Sequence, residues 1–223
     1  MVLVVSGMGM VSAAAATQDV ITRHRPRAVI NYGCAGAHYL ELLPGDVVVG
    51  ERIVAYDNYR ETADGRLDYH GMYYVADGEQ RRVESLACDA ALVEAARRVA
   101  EAVGDGHEPW PAELGWPASV PHRSPRVVFG TVASADRWNR APSSIAAIVA
   151  RHASVCEDME AAAVGLVCAS QHVPFLTIKD ISNNELLRST SSGSALLDEI
   201  GAAQVARRAA AFTLAVVRAL SCT

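Results

Sequence analysis

Short, predominantly apolar runs separated by helical segments constrain this chain more than any other feature. The runs at 2–5, 27–32, 47–55, 126–133 and 174–178 lack the strict alternation of a strand with one wet face. Strands of that kind are covered on both sides, which points to a sheet lying between layers of helices. The cover is at hand. Residues 12–23 are helical in pattern and alanine-rich in their first half, 89–103 are amphipathic, and 143–152, 159–172 and 196–220 complete the set. The segment 2–9 reads as a strand and a tight turn, Ser6-Gly7-Met8-Gly9, leading into the first helix, and a strand, helix, strand succession predicts a parallel pair with a right-handed crossover. The expected fold is α/β, a three-layer αβα arrangement around a mixed central sheet, as one domain over 1–223.

At 223 residues and 51% hydrophobic content, the chain can bury a substantial core without staples. Twenty basic residues against 25 acidic ones give a net charge of -5 with no long basic run, which argues against nucleic acid as a partner. Five widely spaced cysteines without a CxxC pair suggest neither a disulfide framework nor a zinc site, and so a reducing compartment. No stretch reaches the roughly 18 apolar residues of a membrane span, and the opening VLVVSG has no basic flank, so the expected location is the cytoplasm. Residues 56–82 show no clear period. The connection 104–125 holds five prolines and two tryptophans, and a loop that long is either functional or poorly ordered.

In an α/β sheet, ligands collect at the carboxyl ends of the strands. Four clusters fall there: 33–36, 134–139, 157–160 and 179–183. The small residues of Gly33-Cys34-Ala35-Gly36 let backbone N–H groups approach a ligand, or form a plain turn. Glu160 opens a helix whose next three residues are alanine, and a carboxylate so placed can accept two hydrogen bonds from a sugar diol. Alternatively, Glu157, Asp158 and Glu160 only complement the helix dipole, worth about 0.3–1 kcal/mol each. Lys179 is the only lysine in the chain. After an apolar strand and beside Asp180 and Asn183, its ammonium could orient water or stabilise developing charge, or form a surface ion pair with Asp180. Trp138 could stack on a heterocycle or fill the core. No P-loop, GxGxxG, GxSxG or metal-ligand spacing is present, so neither metal nor cofactor is expected.

In order along the chain, SGMGMVSAA, INYGCAGA, LLPGDVVV, SADRW, EDMEAAAVGLVC and IKDISNN resemble the motifs of the purine nucleoside phosphorylase superfamily. The resemblance is to its methylthioadenosine/S-adenosylhomocysteine nucleosidase and futalosine hydrolase branch. It implies a purine nucleoside N-ribosyl hydrolase acting on a 5'-modified substrate. Glu160 would bind the ribose 2' and 3' hydroxyls, Met159 would lie under the ribose, Trp138 would stack on the purine and the backbone around Asn139 would bond its edge. Ala35, Gly36, Asp158 and Ser182 complete the implied substrate-binding set. Asn183 stands where the nucleosidases carry an aspartate that protonates the purine N7, and Lys179 where they commonly carry an arginine near the attacking water. An amide donates a hydrogen bond but not a proton, and asparagine here resembles the 6-oxopurine enzymes and futalosine hydrolases. Leu67, Tyr69 and Met72 fall in the region that lines the neighbour's 5' pocket in the family's homodimers. Asn31 occupies the place where the phosphorylases bind phosphate with arginine, which favours water as the nucleophile over phosphorolysis.

Met1 aligns inside the family's chain, so the N-terminal strands are expected to be shortened and the family's water-activating glutamate has no counterpart. Three readings follow: Asp57 or His38 serves as base; the loop 104–125 or a partner subunit supplies it; or the protein binds nucleosides without turnover.

Overall fold

The computed structural model describes residues 1–103, 123–188 and 202–221. Helix α1 (Met10–His24) leads into strands β1 (Val29–Ala37) and β2 (Val47–Ala55). Two ribbons follow, β3 (Tyr59–Glu61) with β4 (Leu67–Tyr69) and β5 (Met72–Ala76) with β6 (Glu79–Val83), then β7 (Leu86–Ala87) and α2 (Ala90–Val103). Next come β8 (Val127–Ser134), α3 (Pro142–His152), β9 (Ser154–Asp158), α4 (Ala161–Ser170), β10 (Phe175–Asn183), α5 (Glu185–Arg188) and α6 (Ala202–Ser221).

The main sheet runs β10-β1-β9-β8-β2-β7, and a further pairing of β10 with β2 brings its far strands together. It is mixed: β1 with β10, β2 with β8 and β8 with β9 are parallel, whereas β10 with β2 and the tail of β1 with β9 are antiparallel. Helices cover it on both sides. Helix α1 lies on α4, α6 lies on α2, β1 and β10, and α3 lies on β8 and β9. Val47, Val48, Val49, Ile53, Leu176, Ile178 and Ile181 are fully enclosed, and each such side chain stabilises the fold by about 1.5–3 kcal/mol relative to exposure. The alanine run of α4 permits close approach. A Cβ on Gly165 would sit 2.3 Å from Ile53 Cδ1 and 3.0 Å from the Phe175 ring, so a side chain there would force both to shift where this helix rests on β2.

Several expectations are corrected. Residues 2–5 form no strand and Val2, Leu3, Val4 and Val5 are exposed; β propensity measures fit to a packed pleated surface, and this run meets no ladder. The parallel pair expected across α1 is therefore replaced by β1 with β10. Residues 33–36 are no turn, because β1 continues to Ala37. Glu157 and Asp158, read as charges at a helix start, end strand β9, and 179–183 continue β10 rather than follow it. The ribbons in 59–83 escaped the period test because they are short and largely exposed. Their turns carried a signal nonetheless: Asp77-Gly78, both with positive φ, is the two-residue hairpin turn that Asp-Gly favours. Residues 104–122 of the long connection and 196–201 of the expected terminal helix lie outside the described residues.

Candidate active site

Gly36 is the crossing point of the site. In the strand registers it faces Asn183 of β10 on one side and Glu157 of β9 on the other. A Cβ here would come 3.2 Å from Asn183 Nδ2 and 3.7 Å from Glu157 Cγ. Gly36 therefore packs closely between the two strands, where a side chain would crowd the Asn183 amide. Ala35 beside it is buried, and its carbonyl accepts the Ser182 hydroxyl at 3.3 Å.

Glu160 stands half-buried at the cap of α4, and its Oε1 accepts the Gly9 N–H at 2.9 Å. Gly9 has φ of 93°, a conformation glycine adopts without strain. Met10 N–H donates to Asp136 Oδ1 at 2.6 Å, so the SGMG turn is drawn against the site by two carboxylates. With one bond made, Glu160 keeps acceptor capacity for a diol. Met159, half-buried, precedes it.

Asp158 is the true cap of the helix. Its Oδ2 accepts the Ala161 N–H at 2.8 Å, its Oδ1 accepts the Ser134 hydroxyl, and Ser134 Oγ accepts the Ala162 N–H at 2.9 Å. The dipole reading thus holds for Asp158, whereas Glu160 makes no capping bond. Lys179 Nζ lies 2.7 Å from Asp158 Oδ2, with the lysine side chain 1% exposed. The surface pair with Asp180 is not formed. Consecutive strand residues point to opposite faces, and Asp180 Oδ2 instead accepts the Ala209 N–H of α6 at 3.1 Å. Lys179 reaches the site through Asp158 and by lying beneath Gly33, where a Cβ would be 3.8 Å from Nζ.

At the other end, Asn183 Oδ1 accepts the Ser182 hydroxyl at 2.9 Å and its Nδ2 donates to Glu185 Oε1 at 3.2 Å. Glu185 is buried and faces Arg140 at 3.7 Å and Arg188 at 3.5 Å. Trp138 is 64% exposed, so it is no core residue. Asn139 is buried and turned inward: its N–H donates to Glu157 Oε1 at 3.2 Å, and its Nδ2 lies 2.6 Å from both Tyr56 Oη and Glu157 Oε2. The Asn139 backbone N–H is thus engaged within the protein by Glu157. Tyr56 donates to Glu157 Oε2 at 3.1 Å, and burial together with that carboxylate pushes its phenol pKa up.

His38 is buried, with Nδ1 2.9 Å from Ser154 Oγ and Nε2 3.7 Å from Glu157 Oε2. Of the two groups considered as base, only Asp57 is exposed; partial burial raises its pKa, and Asp136 adds to the effect. Met72 is 1% exposed in this chain's own core, with Sδ accepting the Ala55 N–H at 3.0 Å. Leu67 is exposed, and Tyr69 packs edge-on against His152. Asn31 Oδ1 accepts the Thr177 hydroxyl at 3.1 Å, which ties it to β10. Among the described residues no three potential metal ligands converge, and no helix is long and apolar enough to cross a membrane.

Sequence reasoning missed Glu157, Tyr56 and His38 as a group. The available signal was β9: read as a strand, 154–158 places Glu157 and Asp158 on opposite faces, and only one of them can then serve α4.

The sequence profile of the phosphorylase superfamily matches residues 1–218. The chain is 30% identical over 220 residues to a 5'-methylthioadenosine/S-adenosylhomocysteine nucleosidase of Geobacillus sp., covering 98% of this chain and 81% of that one. A nucleosidase of the same description from Bacillus anthracis is 28% identical over 199 residues, 89% of this chain and 74% of the relative. Among solved structures, the Neisseria meningitidis nucleosidase in complex with methylthio-immucillin-A aligns with a TM-score of 0.68 and 27% identity, over 96% of this chain and 78% of that one. The futalosine hydrolase of Helicobacter pylori shares the fold, with a TM-score of 0.69 at 21% identity over 96% and 77%.

Proposed function

The chain belongs to the phosphorylase superfamily, and on that premise we propose that it is a nucleosidase cleaving the N-glycosidic bond of a 5'-modified purine nucleoside with water. The observation that carries this reading is Glu160, held at the head of α4 by the Gly9 N–H with acceptor capacity to spare. Its alignment with nucleosidases along nearly the whole chain supports the same reading.

In this reading Glu160 accepts the 2' and 3' hydroxyls and Met159 underlies the sugar. Trp138, exposed at the mouth, stacks on the base. As the glycosidic bond lengthens, positive charge develops on an oxocarbenium-like ribosyl group and negative charge on the departing base. Glu160 stabilises the first, and the Asn183 amide hydrogen-bonds the base near N7. Asp158, paired with Lys179, fixes α4 so that Met159 and Glu160 keep their positions. Water completes the substitution at the anomeric carbon: its oxygen becomes the sugar's new hydroxyl and its proton neutralises the departed purine anion. Asn31, bonded within the sheet, brings no cation for phosphate.

The enzyme is proposed to be a cytoplasmic homodimer, in keeping with the free thiols of Cys34, Cys88, Cys156 and Cys168 and with exposed Leu40, Leu67 and Trp138. Turnover in ¹⁸O-water without phosphate tests the reaction. The label should appear in the released sugar; strict dependence on phosphate, with ribose 1-phosphate as product, would overturn hydrolysis.

A further inference from the structure

The segment that carries Trp138 is exposed only in its middle. Asp136, Arg137 and Trp138 face solvent, whereas Ser134 and Ala135 before them and Asn139 after them are buried. The indole stacks on no other ring among the described residues, so its place is inherited from the backbone on either side. Both sides are fastened to the end of β9. Ahead of the indole, Ser134 donates to the Asp158 carboxylate and the Ala135 N–H donates to the Asp158 carbonyl at 3.2 Å. Behind it, the Asn139 N–H donates to Glu157 Oε1 at 3.2 Å and the Asn139 side-chain amide to Oε2 at 2.6 Å. Tyr56 adds its hydroxyl to Oε2 at 3.1 Å, while its own N–H donates to the Ser134 carbonyl at 3.1 Å.

Three donors and the His38 imidazole, whose Nε2 lies 3.7 Å from Oε2, surround the buried Glu157 carboxylate, so it is turned to the protein. An ionised carboxylate only accepts, and its two oxygens hold the backbone and the side chain of Asn139 at once. Burial and this carboxylate push the Tyr56 phenol up, which keeps its proton available for donation. We propose that Glu157 is a positioning residue for the base: by pinning Asn139 it fixes the adjoining Trp138, and it acts on a purine only through that indole. The proposal rests on the nucleosidase reading in placing a purine against Trp138. Along Glu157-Asp158-Met159-Glu160, the first two residues then fasten the segment that meets the base and the last two meet the sugar, so one short stretch sets the position of the stacking ring relative to the ribose carboxylate.

A double-mutant cycle between Glu157 and Trp138 separates this role from a merely structural one. Glu157→Leu keeps the bulk and removes both acceptors. It should raise KM for methylthioadenosine, and Kd for free adenine and hypoxanthine by calorimetry, by about tenfold, the scale of a lost stacking contact. The value of kcat should hold, because stacking on the base is lost equally from the ground state and the transition state. Trp138→Ala should show the same pattern, and Glu157→Leu added to it should cost less than about twofold more. Asn139→Ala, which shortens the pin and leaves Glu157 in place, should behave likewise and replaces Glu157→Leu if that variant does not fold, as thermal melts will show. A folded variant with unaltered KM and base affinity overturns the proposal, as do losses that multiply with that of Trp138→Ala, a fall in kcat at constant KM, or a Trp138→Ala protein that binds as wild type does. If no nucleoside is cleaved but the bases bind with this non-additivity, the hydrolase reading falls and the role of Glu157 stands; a wild-type protein that neither binds the bases nor cleaves the nucleoside overturns both.

Discussion

Replacing Lys179 by methionine removes the ammonium from a pair whose two side chains are 1% and 0% exposed and whose charges lie 2.7 Å apart. Methionine fills much of the space of the lysine stem, so the main cost is electrostatic. Asp158 would be left buried, still accepting from Ala161 N–H and Ser134 but without a cation. Stranding one member of a buried pair costs about 3–5 kcal/mol. In a domain of this size each kcal/mol lowers Tm by about 2–4 °C, so Lys179→Met should melt about 6–20 °C below wild type. Asp158→Asn in the same chain removes the stranded charge while keeping an acceptor for Ala161 N–H, and should restore at least half of the loss. Circular dichroism melts and urea midpoints read both. A loss below about 1 kcal/mol, or a double variant no more stable than the sum of the single effects, would refute the assignment of Lys179 as the partner that holds Asp158 and the head of α4.

Glu160→Gln should lower kcat/KM by at least about a hundredfold through two weakened charged hydrogen bonds while leaving Tm close to wild type; near-normal turnover would remove the ribose-anchor role. Asn183→Asp places a carboxyl group where an amide nitrogen now lies 3.2 Å from Glu185 Oε1, and two carboxylates that close raise the pKa of one. The retained proton should speed cleavage of 6-aminopurine nucleosides at acid pH, with the gain lost as pH rises through the elevated pKa; a flat pH–rate profile would contradict this. Trp138→Ala should weaken substrate binding by about 1–3 kcal/mol, the worth of stacking on a base, and leave the melting curve unchanged because the indole is mostly exposed. An unaltered KM would move the stacking role elsewhere.

The fold was legible where residues face the core on both sides. The runs that became β2, β8 and β10 announce themselves because apolar residues dominate them, although Glu51 and Arg52 interrupt the first and Lys179 and Asp180 the last. The run 2–5 carries the same composition yet forms no strand, since pairing depends on a neighbour the local pattern does not encode. At the site, Glu160, Asn183 and the residues around Gly36 could be picked from motif order, and the strand register sets Gly36 opposite Asn183. The partner of Lys179 could not be. Asp158 is distant along the chain, whereas Asp180 is adjacent, and only the alternation of β10 decides between them. Glu157 was hidden for a related reason: next to Asp158 and Glu160 it looks like one more charge at a helix start, and its bonds to Tyr56 and Asn139 span 101 and 18 residues.

The central claim is tested most directly by following free-base release from methylthioadenosine, S-adenosylhomocysteine, adenosine, inosine and futalosine in phosphate-free buffer, with chromatographic identification of both products. Release of a purine together with the free sugar, abolished by Glu160→Gln, is the predicted result. No release with or without added phosphate, from a protein that still binds these nucleosides, would contradict it and leave a nucleoside-binding protein in its place.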